Sequence, residues 1–197
     1  MLKTISLITA LSSFSLLSHS LEPQCFENLP TKKQHFSTDQ KKSLSNTQQE
    51  QLQDFFTQLI RRKRDGKSQG YYCKQQGPID EQYEVEFRPQ KTADNSYLLR
   101  VRLIADKRGN NNERIRYTIS NGKLYLGPND RSSEVMILAL GKNKLKTLEK
   151  YRQRNANGSS IARETVRYYQ LSNNGLTVDN LYYINGSLHA ANYWQLR

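Results

Sequence analysis

Apolar and polar residues alternate with period two through most of the chain beyond Gly70. The clearest stretch runs from Tyr97 to Leu126. It reads Y-L-L-R-V-R-L-I, a polar turn, R-I-R-Y-T-I, Asn121-Gly122 and K-L-Y-L. Successive side chains of a pleated strand point to opposite faces, so this alternation predicts strands with one buried side. Tyr97, Leu99, Val101 and Leu103 share a side of one strand, with Arg100 and Arg102 on the other. On the next, Ile115, Tyr117 and Ile119 oppose Arg114, Arg116 and Thr118. Two neighbouring strands would thus carry a ladder of four arginines. Asn121-Gly122 tolerates positive φ at both turn positions and is a strong short hairpin signal.

The same pattern extends in both directions. Tyr83, Val85 and Phe87 alternate with Glu84, Glu86 and Arg88, and Pro89 suits a strand end. Val135 to Leu140 is a continuous apolar run, as in a central strand. Residues 144–153 are ambiguous. Leu145, Leu148 and Arg152 fit a helix, but turn signals on both sides favour a strand. Ile161 to Leu171 carries Val166, Tyr168 and Tyr169 with Arg163 and Arg167. Two further strands, divided at Asn174-Gly175 and Asn185-Gly186, end in Trp194 and Leu196. About nine strands in simple succession over residues 71–196 predict a mainly β protein. Its antiparallel meander should curl into an up-and-down barrel or half-barrel, which hides the edges.

Before the meander the period changes to that of a helix. Leu52, Phe55, Phe56, Leu59 and Ile60 form one apolar stripe. Thr47 and Glu50 have the spacing of a capping box, and Arg61 to Arg64 are cations at the end where the helix dipole favours them. A helix over 47–64, stopped by Gly66, should cover one open side or end of the sheet. Residues 21–46, with Pro23 and Pro30, read as irregular, and 47–197 as a single domain.

Residues 1–20 have the layout of a secretory signal peptide: Lys3, then an apolar run to Leu17, then Ser18-His19-Ser20. Export to a periplasm or the extracellular space is expected. In such a compartment Cys25 and Cys73 should form a disulfide. No later segment is long and apolar enough to span a bilayer as a helix.

Composition then narrows the function. Lys and Arg number 30 against 18 Asp and Glu, a formal charge of +12. An anionic polymer, an anionic lipid surface or an acidic protein suits such a surface. Nucleic acid is disfavoured by export. There are only three histidines, and neither a zinc-protease, a serine-nucleophile nor a glycine-rich phosphate motif is present. No catalytic residue, metal ligand or cofactor is assigned, and the balance leans against an enzyme. The leading expectation is an exported, soluble, non-enzymatic binding protein. Its donors are Arg100, Arg102, Arg114, Arg116, Arg163 and Arg167 on a sheet face. Alternatively, a barrel mouth with tyrosines and Trp194 holds an amphipathic ligand. Glu84 and Glu86 are available to pair with Arg100 and Arg102, which leaves Arg114 and Arg116 as the preferred ligand residues. Two other classes remain. One is a structural or assembly component of the cell envelope acting through protein contacts. The other is a carbohydrate-active enzyme using a carboxylate pair among Glu84, Glu86, Glu134, Glu164 and Asp179.

Overall fold

A computed structural model describes residues 43–61, 63–74, 77–105, 109–127, 133–154, 158, 160–184 and 186–197. The proposed signal peptide, Cys25, the Cys73 side chain and most of the segment 21–46 lie outside the described residues.

Among the described residues, ten antiparallel strands close into a barrel, with one helix at the N-terminal side. In chain order these are α1 (Asn46–Ile60), β1 (Arg64–Lys74), β2 (Gly77–Ala93), β3 (Ser96–Ala105), β4 (Gly109–Ser120), β5 (Lys123–Leu126), β6 (Ser133–Gly141), β7 (Lys144–Arg154), β8 (Ser160–Ser172), β9 (Gly175–Ile184) and β10 (Ser187–Leu196). Each strand pairs with its neighbour in sequence, and β1 pairs with β10 to complete the ring. The ambiguous segment 144–153 is strand β7. The alternation of β3 and β4 places Leu99, Val101, Ile115 and Tyr117 inside, and all four are buried.

The strand missing from the sequence reading is β1. Its inward positions hold Gly66, Ser68 and Gly70 rather than apolar residues, so no alternation marks it. A Cβ on Gly66 would run into the Gln195 carbonyl oxygen of β10, so the closing ladder accepts only glycine at that point.

The helix also begins and ends elsewhere than its sequence signals suggest. The capping box is formed by Ser45 and Gln48, not Thr47 and Glu50: each side chain accepts from the other's backbone N–H. The Leu44 N–H donates to the Gly122 carbonyl of the β4–β5 turn, 2.7 Å away, which fixes the approach of the chain two residues early. At the other end the helix stops at Ile60. Arg64 lies at the start of β1 and donates from Nη1 to the Leu59 carbonyl, satisfying one of the orphan acceptors of the last turn.

α1 seals one end of the barrel. Gln53 donates to Asn95 of the β2–β3 turn and Gln58 to the Lys142 carbonyl of the β6–β7 turn. Leu52, Phe55, Phe56 and Leu59 are fully buried in one cluster with Phe87, Tyr97, Leu99, Tyr117, Leu124, Leu145, Tyr169, Val178 and Trp194. The apolar core therefore fills the helix-sealed half of the barrel. Among the described residues, no helix is long and apolar enough to cross a membrane.

Candidate functional site

Three features carry charge in positions that packing alone does not require. The first is the outer face of β2, β3 and β4. The registers Arg88↔Arg100 and Arg100↔Arg114 set three arginines directly side by side across three strands. The Ile119 N–H donates to the Asn95 carbonyl, which fixes the alternation of the β3–β4 ladder. Arg100–Arg114 is then a non-hydrogen-bonded pair, the kind in which side chains stand closer. Like charges directly opposite destabilise a sheet. Arg102 and Arg116 flank the row. Two carboxylates answer it: Asp65 pairs with Arg88 at 2.5 Å and Glu86 with Arg102 at 3.6 Å. Glu84 faces Ile104, so it does not pair with the row across the ladder. A shallow groove of about 280 Å³ runs along this face between Glu86, Arg88, Arg100, Arg102, Asn112 and Arg114.

The second feature is a polar layer inside the barrel. Arg167 of β8 is 7 % exposed and Glu149 of β7 is 1 % exposed. The Arg167 Nε donates to both Glu149 oxygens at 3.1 and 3.2 Å, and its Nη1 donates to Asn180 Oδ1 at 2.7 Å. Glu113 approaches the same Nη1 at 3.5 Å. Tyr117 donates to Glu149 Oε1 and lies 3.1 Å from the Tyr169 hydroxyl. Asn180 passes the network on to the Asn192 carbonyl, and Ser68 donates to the Asn192 side chain. Burial opposes the Arg167 charge, but Glu149, Tyr182 and Glu113 overcome it and hold the guanidinium well above its usual range. Burial first, and then Glu149, push the Tyr117 hydroxyl far up, so it stays a neutral donor.

The third feature is a break in the ladder pairing of the described residues. β5 pairs with β4 only over Tyr117–Ser120, and with β6 only over Ser133–Val135. On β7 the ladder to β6 ends at Glu149. Among the described residues, the edges of β4 before Arg116 and of β7 beyond Glu149 thus face each other with no ladder between them. Tyr151 has inward parity with Leu145, Thr147 and Glu149, yet it is 37 % exposed. A pocket of about 380 Å³ occupies this gap. Arg114, Ile115, Arg116, Leu126, Gly127, Glu149, Tyr151 and Arg167 line it.

The six candidate arginines therefore separate. Arg100, Arg102, Arg114 and Arg116 stand on the outer face. Arg167 points inward, and Arg163 shares its parity, opposite Tyr151 and Ile184. The Arg163 Nε is buried without a hydrogen-bond partner among the described residues. Trp194 lies in the apolar core beside Val178 and Ser68. The five candidate carboxylates all lie on the outer face. Glu86 is paired with Arg102, Glu134 with Lys123 and Glu164 with Lys150. Among the described residues no cluster of His, Cys, Asp and Glu has the grouping a metal needs.

The sequence reading missed Glu149 and Glu113. A signal for Glu149 was present. Lys144, Lys146 and Lys150 mark the outer side of β7, so Leu145, Thr147, Glu149 and Tyr151 must be the inner one.

Asp179 lies on the outer face of β9 between Tyr168 and Tyr193, and burial raises its carboxyl above the ordinary range. A raised carboxyl holds its proton more tightly in the folded state. Its contribution is present at low pH and is lost as pH rises through the folded value. Asp179→Asn should therefore raise the urea midpoint at pH 7 and leave it unchanged at pH 3, measured by tyrosine fluorescence. An equal shift at both pH values would remove ionisation as the cause.

No protein-family profile matches the chain, and no curated protein matches it.

Proposed function

We propose that the protein is an exported, non-enzymatic binding protein whose β2–β3–β4 outer face holds an anionic polymer. The observation that carries this reading is the register of Arg88, Arg100 and Arg114. Neighbouring strands are spaced about 4.8 Å apart, so the row is a regular line of guanidinium groups. A polyanion laid across the strands would meet one group per strand; Arg100 and Arg114 can each grip an oxyanion with two donors, while Arg88 already pairs with Asp65. The sheet meanwhile bears the repulsion of like charges in register, and a bound polyanion would relieve it. The secretory layout of residues 1–20 and the +12 charge favour an acidic polymer outside the cytoplasm over nucleic acid.

The test has two signs. Arg100→Thr/Arg114→Thr should elute from a sulfated-polysaccharide column at clearly lower salt than the wild type. The charge-matched control Lys142→Ala/Lys144→Ala, in the β6–β7 turn and at the first residue of β7, should shift much less. The same arginine pair should also gain stability, by about 0.2–1 kcal/mol in urea, because the like-charge contact is gone. Equal elution of the two double variants would reject the face as a site and leave only the net charge.

A further inference from the structure

We infer that the gap between β4 and β7 is a second binding site, for a small organic anion with an apolar or aromatic body. This site shares Arg114 with the outer row, but Arg88 and Arg100 take no part in it. Its floor is built: Arg167 is held in place by Glu149 on one side and Asn180 on the other. These bonds use Nε and Nη1, and no described residue bonds Nη2. Arg114 and Arg116 stand at the rim with no ion pair among the described residues. Three guanidinium groups thus line the pocket with one carboxylate, Glu149, which already accepts from Arg167 and Tyr117. Glu113, 3.5 Å from the Arg167 Nη1, is not part of the lining. The pocket therefore carries an excess of positive charge.

The remaining lining is apolar. Ile115 and Leu126 form walls, and Tyr151 offers the one large apolar side chain that is exposed among the described residues. A volume of about 380 Å³ is at the lower end of small-molecule sites. Main-chain polarity adds to the fit. The Arg116 carbonyl accepts from the Gly127 N–H, so by the alternation of the ladder the main-chain groups of Arg114 also point into the gap. An oxyanion would lie between Arg116 and Arg167, with its organic part against Leu126 and the Tyr151 ring. Carboxylate and phosphate monoester share this chemistry.

The experiment is calorimetric titration of the full-length protein with phenyl phosphate, phenylacetate and inorganic phosphate. At least one aromatic anion should bind saturably and more tightly than inorganic phosphate; which of the two is tighter tells phosphate ester from carboxylate. Arg116→Ala should weaken it about tenfold or more and Tyr151→Ala about threefold or more, whereas Arg100→Ala, on the outer row, should bind as the wild type does. The inference is overturned if neither aromatic anion binds more tightly than about 10 mM. It is also overturned if inorganic phosphate binds as well as both, or if Arg100→Ala loses as much as Arg116→Ala. The last result would assign the binding to the outer face.

Discussion

Phe56→Ala is expected to cost about 3–5 kcal/mol, the range for removing a fully buried phenyl ring. Phe56 joins the helix to the barrel. Its ring stacks on Tyr97 at 4.6 Å and 13°, tilts over Tyr117 at 5.3 Å and meets Phe55 edge-on at 5.8 Å. Aromatic geometry of this kind adds about 0.5–1.5 kcal/mol per pair beyond the area buried. The loss should appear as a lower urea midpoint. Gln51→Ala, on the exposed side of α1, should stay within about 0.5 kcal/mol of the wild type. A Phe56→Ala cost below about 1 kcal/mol would show that the helix is an ornament on a barrel that stands without it.

Glu149→Ala should cost a similar amount, about 3–5 kcal/mol, for a different reason. It leaves the Arg167 charge inside the barrel with Glu113 as its nearest counter-charge, 3.5 Å away, and removes the acceptor of Tyr117. The pair as a whole need not be stabilising, because both ions lost water to get there. Glu149→Leu/Arg167→Met should therefore be far less damaging than Glu149→Ala alone, despite removing more polar groups. A double-mutant cycle in urea measures this. If the double variant is as unstable as the sum of the two singles, the ion pair contributes packing and hydrogen bonds but no compensation of charge.

How much of this was legible depends on what each inner position holds. β3 and β4 announce themselves because apolar residues alternate with arginines, and the structure keeps every one on the side the alternation gives it. β7 was harder. Leu148 is buried on the outer side while Glu149 is buried on the inner side, so hydropathy contradicts parity at two adjacent residues. β1 was silent, since Gly66, Ser68 and Gly70 carry no apolar signal at all. The number of strands was thus short by one, and closure of the ring rested on the missing one. The candidate arginines were visible as residues but not as two groups. Separating Arg167 from Arg100 needed the inner parity of β8 and the partner on β7. The break in pairing among the described residues was invisible in sequence, because it follows from how few residues β5 shares with each neighbour. Four residues of β5 read as a complete hairpin arm until the lengths of β4 and β7 are set beside them.

The closing ladder has a consequence for how the molecule is made. Every other pairing joins strands adjacent in the chain and can form as soon as a hairpin has emerged. The β1–β10 seam joins Gly66 to Leu196, and Asp65 and Arg197 exchange backbone hydrogen bonds at 3.4 and 3.0 Å beside it. The ring therefore cannot shut until the whole of β10 is present. A sheet held only by the pairings of sequence-adjacent strands would keep two free edges, and the loop entropy of bringing those edges together falls on this one pairing.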